Sequence, residues 1–281
     1  MPESYDLPVI RVHHLNCCTM CPWGGSLINE HGYLVAHCLL VETDSSGLVL
    51  IDTGIGLADT ANPGPRLGRP FGLAVRPQAD PASTAIRQVE RLGFAAKDVR
   101  HIVVTHLDVD HAGGLPDFPG AAVHVHADEK DAALGRRTTQ ERNRYRPVHF
   151  AHGPQWAPYR ATEGEPWFGF ATVRALPGLP EEILAVPLPG HSRGHAAIAV
   201  RAPEGWLLHA GDAYFHHAVV DHPRGRVPLG LRTFEKLVAM ERSAIEANHA
   251  RLHDLARDHR DEVTVFSAHD TSEFLALANA A

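Results

Sequence analysis

The chain has 281 residues, 44% hydrophobic and 21% charged, with a formal net charge of −7. That length and apolar fraction suffice for a substantial core in one ordered domain spanning 1–281. The acidic balance argues against a nucleic-acid-coating surface, and no apolar run approaches the ~18 residues a membrane span needs. Met1 to Pro8 is polar, without a basic region leading into an apolar stretch, so no export signal is read and a cytoplasmic protein is the default. Apolar runs then predict strands over 9–15, 33–43 and 47–52. The segment His13-His14-Leu15-Asn16-Cys17-Cys18-Thr19-Met20-Cys21 carries three of the four cysteines. Its Cys-x-x-Cys suits structural zinc or a redox pair, but no fourth ligand shows at clear spacing. The preferred reading is a turn near the active-site mouth with free thiols and no metal, while Cys38 in the run Leu34 to Val41 is a core residue. Residues 54–81 are rich in Gly and Pro with little periodicity, as in a loop over a site. A helix is expected over 82–92, where Ile86, Val89 and Leu92 recur at helical spacing, starting at Pro81-Ala82-Ser83 and stopping at Gly93.

A strand over 101–105 leads into Thr105-His106-Leu107-Asp108-Val109-Asp110-His111-Ala112-Gly113-Gly114. Extended residues alternate faces, so His106 and Asp108 would share a cleft while Leu107 and Val109 point into the core. Asp110 and His111 follow as the chain turns, and Gly113-Gly114 lets the backbone pass close by. Such a cluster of metal-competent side chains makes a poor surface loop and a good half of a two-metal site. Ala121 to His126 reads as another strand. Residues 136–170 combine Arg136, Arg137, Arg142, Arg144 and Arg146 with Tyr145, His149, Trp156, Tyr159, Trp167 and Phe168. The arginines read as a solvated helix face; the aromatics read as pocket or dimer interface, in a second lid or specificity segment beside 54–81. Strands follow near 183–188, 196–201, 205–210 and 262–267, with a long helix around 232–258. His191 falls on the tight turn Pro189-Gly190-His191, Asp212 ends Trp206 to Asp212, and His269 ends Val263 to Asp270. Each stands at a strand end, where a rigid sheet can fix ligand geometry.

At these residues the chain resembles the metallo-β-lactamase superfamily, within it the lactonase and glyoxalase-II-like hydrolases. Leu50-Ile51-Asp52-Thr53-Gly54, then His106 to His111, His191, Asp212 and His269 run in that family's order across roughly residues 30–275. The resemblance implies an α/β fold, the four-layer αβ/βα sandwich, with the site at one edge where strand ends converge. It implies two divalent ions, zinc first, with iron or manganese open. His106, Asp108 and His191 would hold the first; Asp110, His111 and His269 the second; Asp212 would bridge, and Asp52 would orient a ligating imidazole. A metal-bridging hydroxide would attack a lactone or other carboxylic ester. Asp110 would also carry a proton to the leaving group, and Tyr214 would donate to the carbonyl oxygen.

The usual signature is His-x-His-x-Asp-His, and here Asp108 replaces its second histidine. Asp108 either binds metal through oxygen or leaves the first site weak. As a ligand it would render the centre formally neutral, a weaker Lewis acid, and a harder site more open to iron or manganese. Other readings are a di-iron redox protein of the same fold, against which the lack of a flavin module counts, and a catalytically idle metal-binding protein. Partners would be a small-molecule ester or lactone, without nucleic acid or membrane; a homodimer stays open. Of the 21 histidines, His37, His124, His126 and His249 read as packed or solvated, and His216, His217 and His222 as near Asp212 and able to line its pocket.

Overall fold

Alternation along the strands decides the layering. In β2 (Leu34–Thr43), Leu39 and Val41 face one way and Cys38 and Leu40 the other, and all four are buried. In β3 (Gly47–Ile51), Val49 and Ile51 join the first set, Leu48 and Leu50 the second. A strand apolar on both faces must be covered on both, so each sheet is the middle of a sandwich. The structure, a computed structural model, describes residues 11–160, 166–170, 174–221 and 226–280.

Around β2 and β3 the first sheet runs in the order β1 (Arg11–Met20), β2, β3, β4 (Val99–Val103), β5 (Ala122–His126) and β6 (Gln155–Tyr159). It is antiparallel from β1 to β3 and parallel from β3 to β6. The second sheet runs β7 (Arg174–Ala175), β8 (Ile183–Pro187), β9 (Ala196–Ala202), β10 (Gly205–His209) and β11 (Val263–Phe266), with β10 and β11 parallel. Leu39, Val41, Val49 and Ile51 pack between the sheets against Ile183, Ile198, Val200 and Phe266. Helices α1 (Leu57–Ala61), α2 (Pro63–Leu67) and α3 (Arg69–Val75) follow β3, and α4 (Ala85–Arg91) lays Ala85 and Val89 on the outer face of the first sheet. After β4 come α5 (Val109–Ala112), α6 (Ala127–Gly135) and α7 (Thr139–Arg144). Next are α8 (Ala218–Asp221), α9 (Leu229–Val238), α10 (Arg242–Asp258) and α11 (Thr271–Ala278). From α10, Leu252 and Leu255 cover Ala197, Ala199 and Leu208 on the far face of the second sheet. The result is the expected helix–sheet–sheet–helix sandwich.

Several local expectations change. The helix expected over 232–258 is two, α9 and α10, because Met240 and Glu241 turn their backbone N–H groups to the Gly190 carbonyl instead of the helix ladder. Segment 54–81 is largely helical. β1 runs through Cys17 and Cys18, so these thiols are buried strand residues, with a register shift between Asn16 and Thr19. β6 was not expected, since Pro158 interrupts it; proline is tolerated because β6 is an edge strand. Among the described residues no helix is long and apolar enough to cross a membrane.

Candidate metal centre

The chain ends of β3, β4, β10 and β11 and the turn between β8 and β9 meet at one edge. β4 stops at Val103; residues 104–108 continue as a loop and α5 adds one helical turn. Leu107 is buried in the core, whereas Val109 starts α5 and packs with Met20, Leu67, Val75 and Phe215 along the cleft that Asp108 and Asp110 also line, so the alternation expected through Val109 stops at Asp108. The loop is held tight by small residues: a Cβ on Gly113 would sit 2.4 Å from Asp59 Oδ2, and one on Gly114 would sit 2.8 Å from the Thr53 carbonyl.

All seven expected ligands come together here. His106, Asp108 and His191 bring one ligand atom each within 4.8 Å of one another, as do Asp110, His111 and His269. Asp212 spans the two groups. Its Oδ2 lies 3.3 Å from His191 Nε2 and 3.8 Å from His106 Nε2, and its Oδ1 lies 3.1 Å from His111 Nε2 and 3.0 Å from His269 Nε2. Asp108 contributes Oδ2, 3.1 Å from His191 Nε2 and 3.4 Å from His106 Nε2. Asp110 Oδ2 stands 3.6 Å from His269 Nε2.

The donor set fits divalent metal. His106 Nε2, His111 Nε2 and Asp212 Oδ1 are buried without a hydrogen-bond partner, a costly arrangement unless an ion completes it. Imidazole nitrogens and carboxylate oxygens together suit zinc, iron or manganese. Electrostatics agree. Burial pushes the Asp212 carboxyl up, but His269, His111, His191 and His106 hold it well below the usual range. Burial lowers His111, and Asp212, Asp52 and Asp110 more than offset that, raising it well above the ordinary value.

The supporting atoms orient these groups. Asp52 Oδ2 lies 2.7 Å from His111 Nδ1, while Asp52 accepts from the Thr105 N–H and hydroxyl at 2.7 Å each. Asp52 sits at φ 58°, a left-handed conformation costly for a non-glycine residue and fixed by those bonds. His269 Nδ1 meets the Val35 carbonyl at 2.7 Å.

Some expectations do not survive. Tyr214 is buried and its hydroxyl donates to Glu273 Oε1 at 2.8 Å, so it is tied to α11 and does not line the cleft. Arg144 leaves the solvated face assigned to it: its side chain is 7% exposed and its Nε stands 3.5 Å from Asp108 Oδ1. Among the described aromatics of 136–170 the cleft gains none. Tyr145 binds Glu129, His149 binds Asp59, and Trp156, Tyr159, Trp167 and Phe168 pack on the sandwich. His216 and His217 also lie outside the cleft; Asp270 accepts from the backbone and faces the ring of His217 while capping α11, which accounts for that cluster without an ion. His222 lies outside the described residues.

Three positioning residues were missed. Glu129 is fully buried and accepts from the Leu107 N–H and Tyr145 hydroxyl at Oε1, and from the Ser192 hydroxyl and Gly194 N–H at Oε2. It thereby ties the His106–Asp108 loop to the His191 loop. His195 accepts the Asp212 N–H at 2.9 Å, and His209 Nδ1 accepts that of Gly211 at 3.2 Å. Glu129 sits in the charged run Asp128-Glu129-Lys130-Asp131, so no local signal marked it as the buried member, and nothing distinguished the two histidines.

A cleft of about 500 Å³ opens over the ligands. Asp108, Asp110, His191, Asp212 and His269 form its floor, and Met20, Leu67, Phe71, Val75, Phe215 and Phe234 part of its walls. Segment 54–81 supplies Leu67 to Val75, and segment 136–170 supplies Gln140, Asn143, Arg144 and Arg146.

The metallo-beta-lactamase superfamily profile matches residues 31–264. A probable metallo-hydrolase of Mycobacterium tuberculosis is 46% identical over 269 residues, covering 96% of this chain and 83% of the relative. An N-acyl homoserine lactonase of Bacillus thuringiensis is 27% identical over 192 residues, 68% of this chain and 67% of the relative. Among solved structures, a Bacillus thuringiensis AiiA variant with N-decanoyl-L-homoserine at its active site superposes with a TM-score of 0.70 at 19% identity, covering 96% and 97% of the two chains. A dizinc quorum-quenching lactonase, AidC, gives a TM-score of 0.57 at 15% identity, covering 95% and 92%. These likenesses at low identity speak to the fold, and the profile and the mycobacterial relative to descent: the chain belongs to the metallo-beta-lactamase superfamily and has its four-layer fold.

Proposed function

We propose that this chain hydrolyses a carboxylic ester, foremost a lactone, bearing an apolar arm. The observation that carries the reading is the pair of ligand triads joined by Asp212 at the floor of a cleft with apolar walls. His106, Asp108 and His191 would hold one ion, Asp110, His111 and His269 the other, with one Asp212 oxygen toward each. Two divalent ions held there would supply Lewis acidity, activating water and polarising the scissile carbonyl.

The protein's own groups do the rest. The Asp212 carboxylate stays charged, because four imidazoles surround it, and keeps its oxygens aimed in opposite directions. Asp110 lines the cleft and is the carboxylate placed to pass a proton to the departing alkoxide. Apolar walls exclude water from the acyl arm and orient the carbonyl toward the floor. The wall area offered by Phe71, Phe215 and Phe234 favours substrates with an alkyl or aryl chain over small polar esters.

The test is turnover of a lactone and ester panel by the metal-loaded protein, beside elemental analysis of metal per chain. Cleavage that falls at least a hundredfold in Asp110→Asn, with fold retained, supports the reading. Wild-type rates in that variant overturn it. Iron with visible absorbance and no ester cleavage would instead favour a redox protein.

A further inference from the structure

Arg144 closes α7 with a guanidinium almost withdrawn from water, at the wall of the cleft. Such burial is costly unless each donor is used. Nη1 donates to the His191 carbonyl at 2.7 Å, Nη2 donates to the Val238 carbonyl, and Nε faces Asp108 Oδ1 at 3.5 Å. The two carbonyls fix the plane of the fork, and with it the direction of Nε.

Asp108 is divided by this arrangement. Oδ1 is buried without a hydrogen-bond partner and has Arg144 Nε at ion-pair distance, and Oδ2 is turned to His106 and His191. The consequence for charge is direct. A carboxylate in place of an imidazole adds one negative charge to the centre, and a guanidinium beside it supplies the opposite one. The formally neutral centre expected from Asp108 alone therefore does not describe this site.

Building on the metal-centre reading proposed above, we infer that Arg144 is the positioning and charge partner of Asp108, the pair together standing in for a neutral histidine ligand. Arg144 holds Oδ1 so that Asp108 presents one oxygen to the first ion, and its link to the His191 carbonyl fixes a second member of the same triad. Outer partners of ligating carboxylates set affinity in this way elsewhere.

The experiment is zinc binding to the metal-free full chain, measured by competition with a chromophoric chelator, which resolves both ions without recourse to turnover. Arg144→Gln is expected to weaken the first ion about 10- to 100-fold and leave the second within about threefold. Asp108→His alone sets an imidazole against the guanidinium and weakens the first ion comparably. Asp108→His with Arg144→Gln recovers affinity to within about threefold of wild type, so the two substitutions are strongly non-additive. Should Arg144→Gln not fold by circular dichroism, Arg144→Lys serves, keeping the charge and losing the fork, with the first ion weakened about tenfold. Wild-type affinity in the folded Arg144 variant, or an additive double mutant, overturns the inference. A wild-type chain that binds fewer than two zinc ions overturns the proposed centre itself, which separates the two failures.

Discussion

Glu129→Gln is a near-isosteric change whose cost follows from four contacts. Each carboxylate oxygen of Glu129 accepts one hydroxyl and one backbone N–H: Tyr145 and Leu107 at Oε1, Ser192 and Gly194 at Oε2. A glutamine keeps one oxygen and turns an NH₂ toward the other pair. The hydroxyl there can rotate and accept, but the backbone N–H cannot, so either amide orientation strands Leu107 or Gly194 against a donor. A buried donor left unsatisfied costs roughly 1–3 kcal/mol, and the charge assistance lost at the remaining bonds adds to it. The expected loss is about 2–4 kcal/mol, read from urea unfolding of the metal-free protein so that ion binding does not mask it. Leu107 and Gly194 flank His106 and the His191 loop, so zinc affinity should fall in the same variant. A stability change below about 0.5 kcal/mol would refute the claim that Glu129 clamps the two ligand loops.

Replacing Tyr214 with Phe should cost about 1 kcal/mol of stability through the lost bond to Glu273 and change kcat/KM on the best ester less than about threefold; a hundredfold fall would return Tyr214 to the reaction. Metal-free stability should fall in acid. Burial, then His101, lowers His124 from 6.5 to about 4, so between those values the unfolded chain binds the extra proton and stability rises with pH. The contribution is present above pH 6.5 and is lost as pH falls toward 4, and His124→Leu should flatten the slope by about 1.4 kcal/mol per pH unit in that window. An unchanged slope by denaturant titration at several pH values would show that His124 is protonated in the fold. Chelation should lower the melting temperature, because four imidazoles and three carboxylates then converge without an ion; scanning calorimetry with and without zinc checks it.

Seven ligand candidates were legible because each stands beside an apolar run that reads as a strand, and the family resemblance supplied their grouping around two ions. Leu107 shows the logic, its burial in the core leaving His106 and Asp108 to the other side; Val109 departs from it and joins the cleft wall, because residues 104–108 are a loop and α5 begins at Val109. Arg144 shows where it fails. Charge runs are usually solvated, and nothing local reveals that the Gly190–His191 turn and α9 supply the carbonyls that draw this one inward. Tyr214 fails in the same way, its hydroxyl captured by Glu273 from a helix distant in sequence.

What local sequence determined here is therefore most of the strands and the helix α4, since these follow from apolar runs and from helical spacing. The partners of buried polar groups follow from which elements become neighbours. Glu129 and Arg144 take theirs from segments 16 to 94 residues away in the chain, and His195 accepts the Asp212 N–H from 17 away; only packing the elements together brings those donors and acceptors within reach.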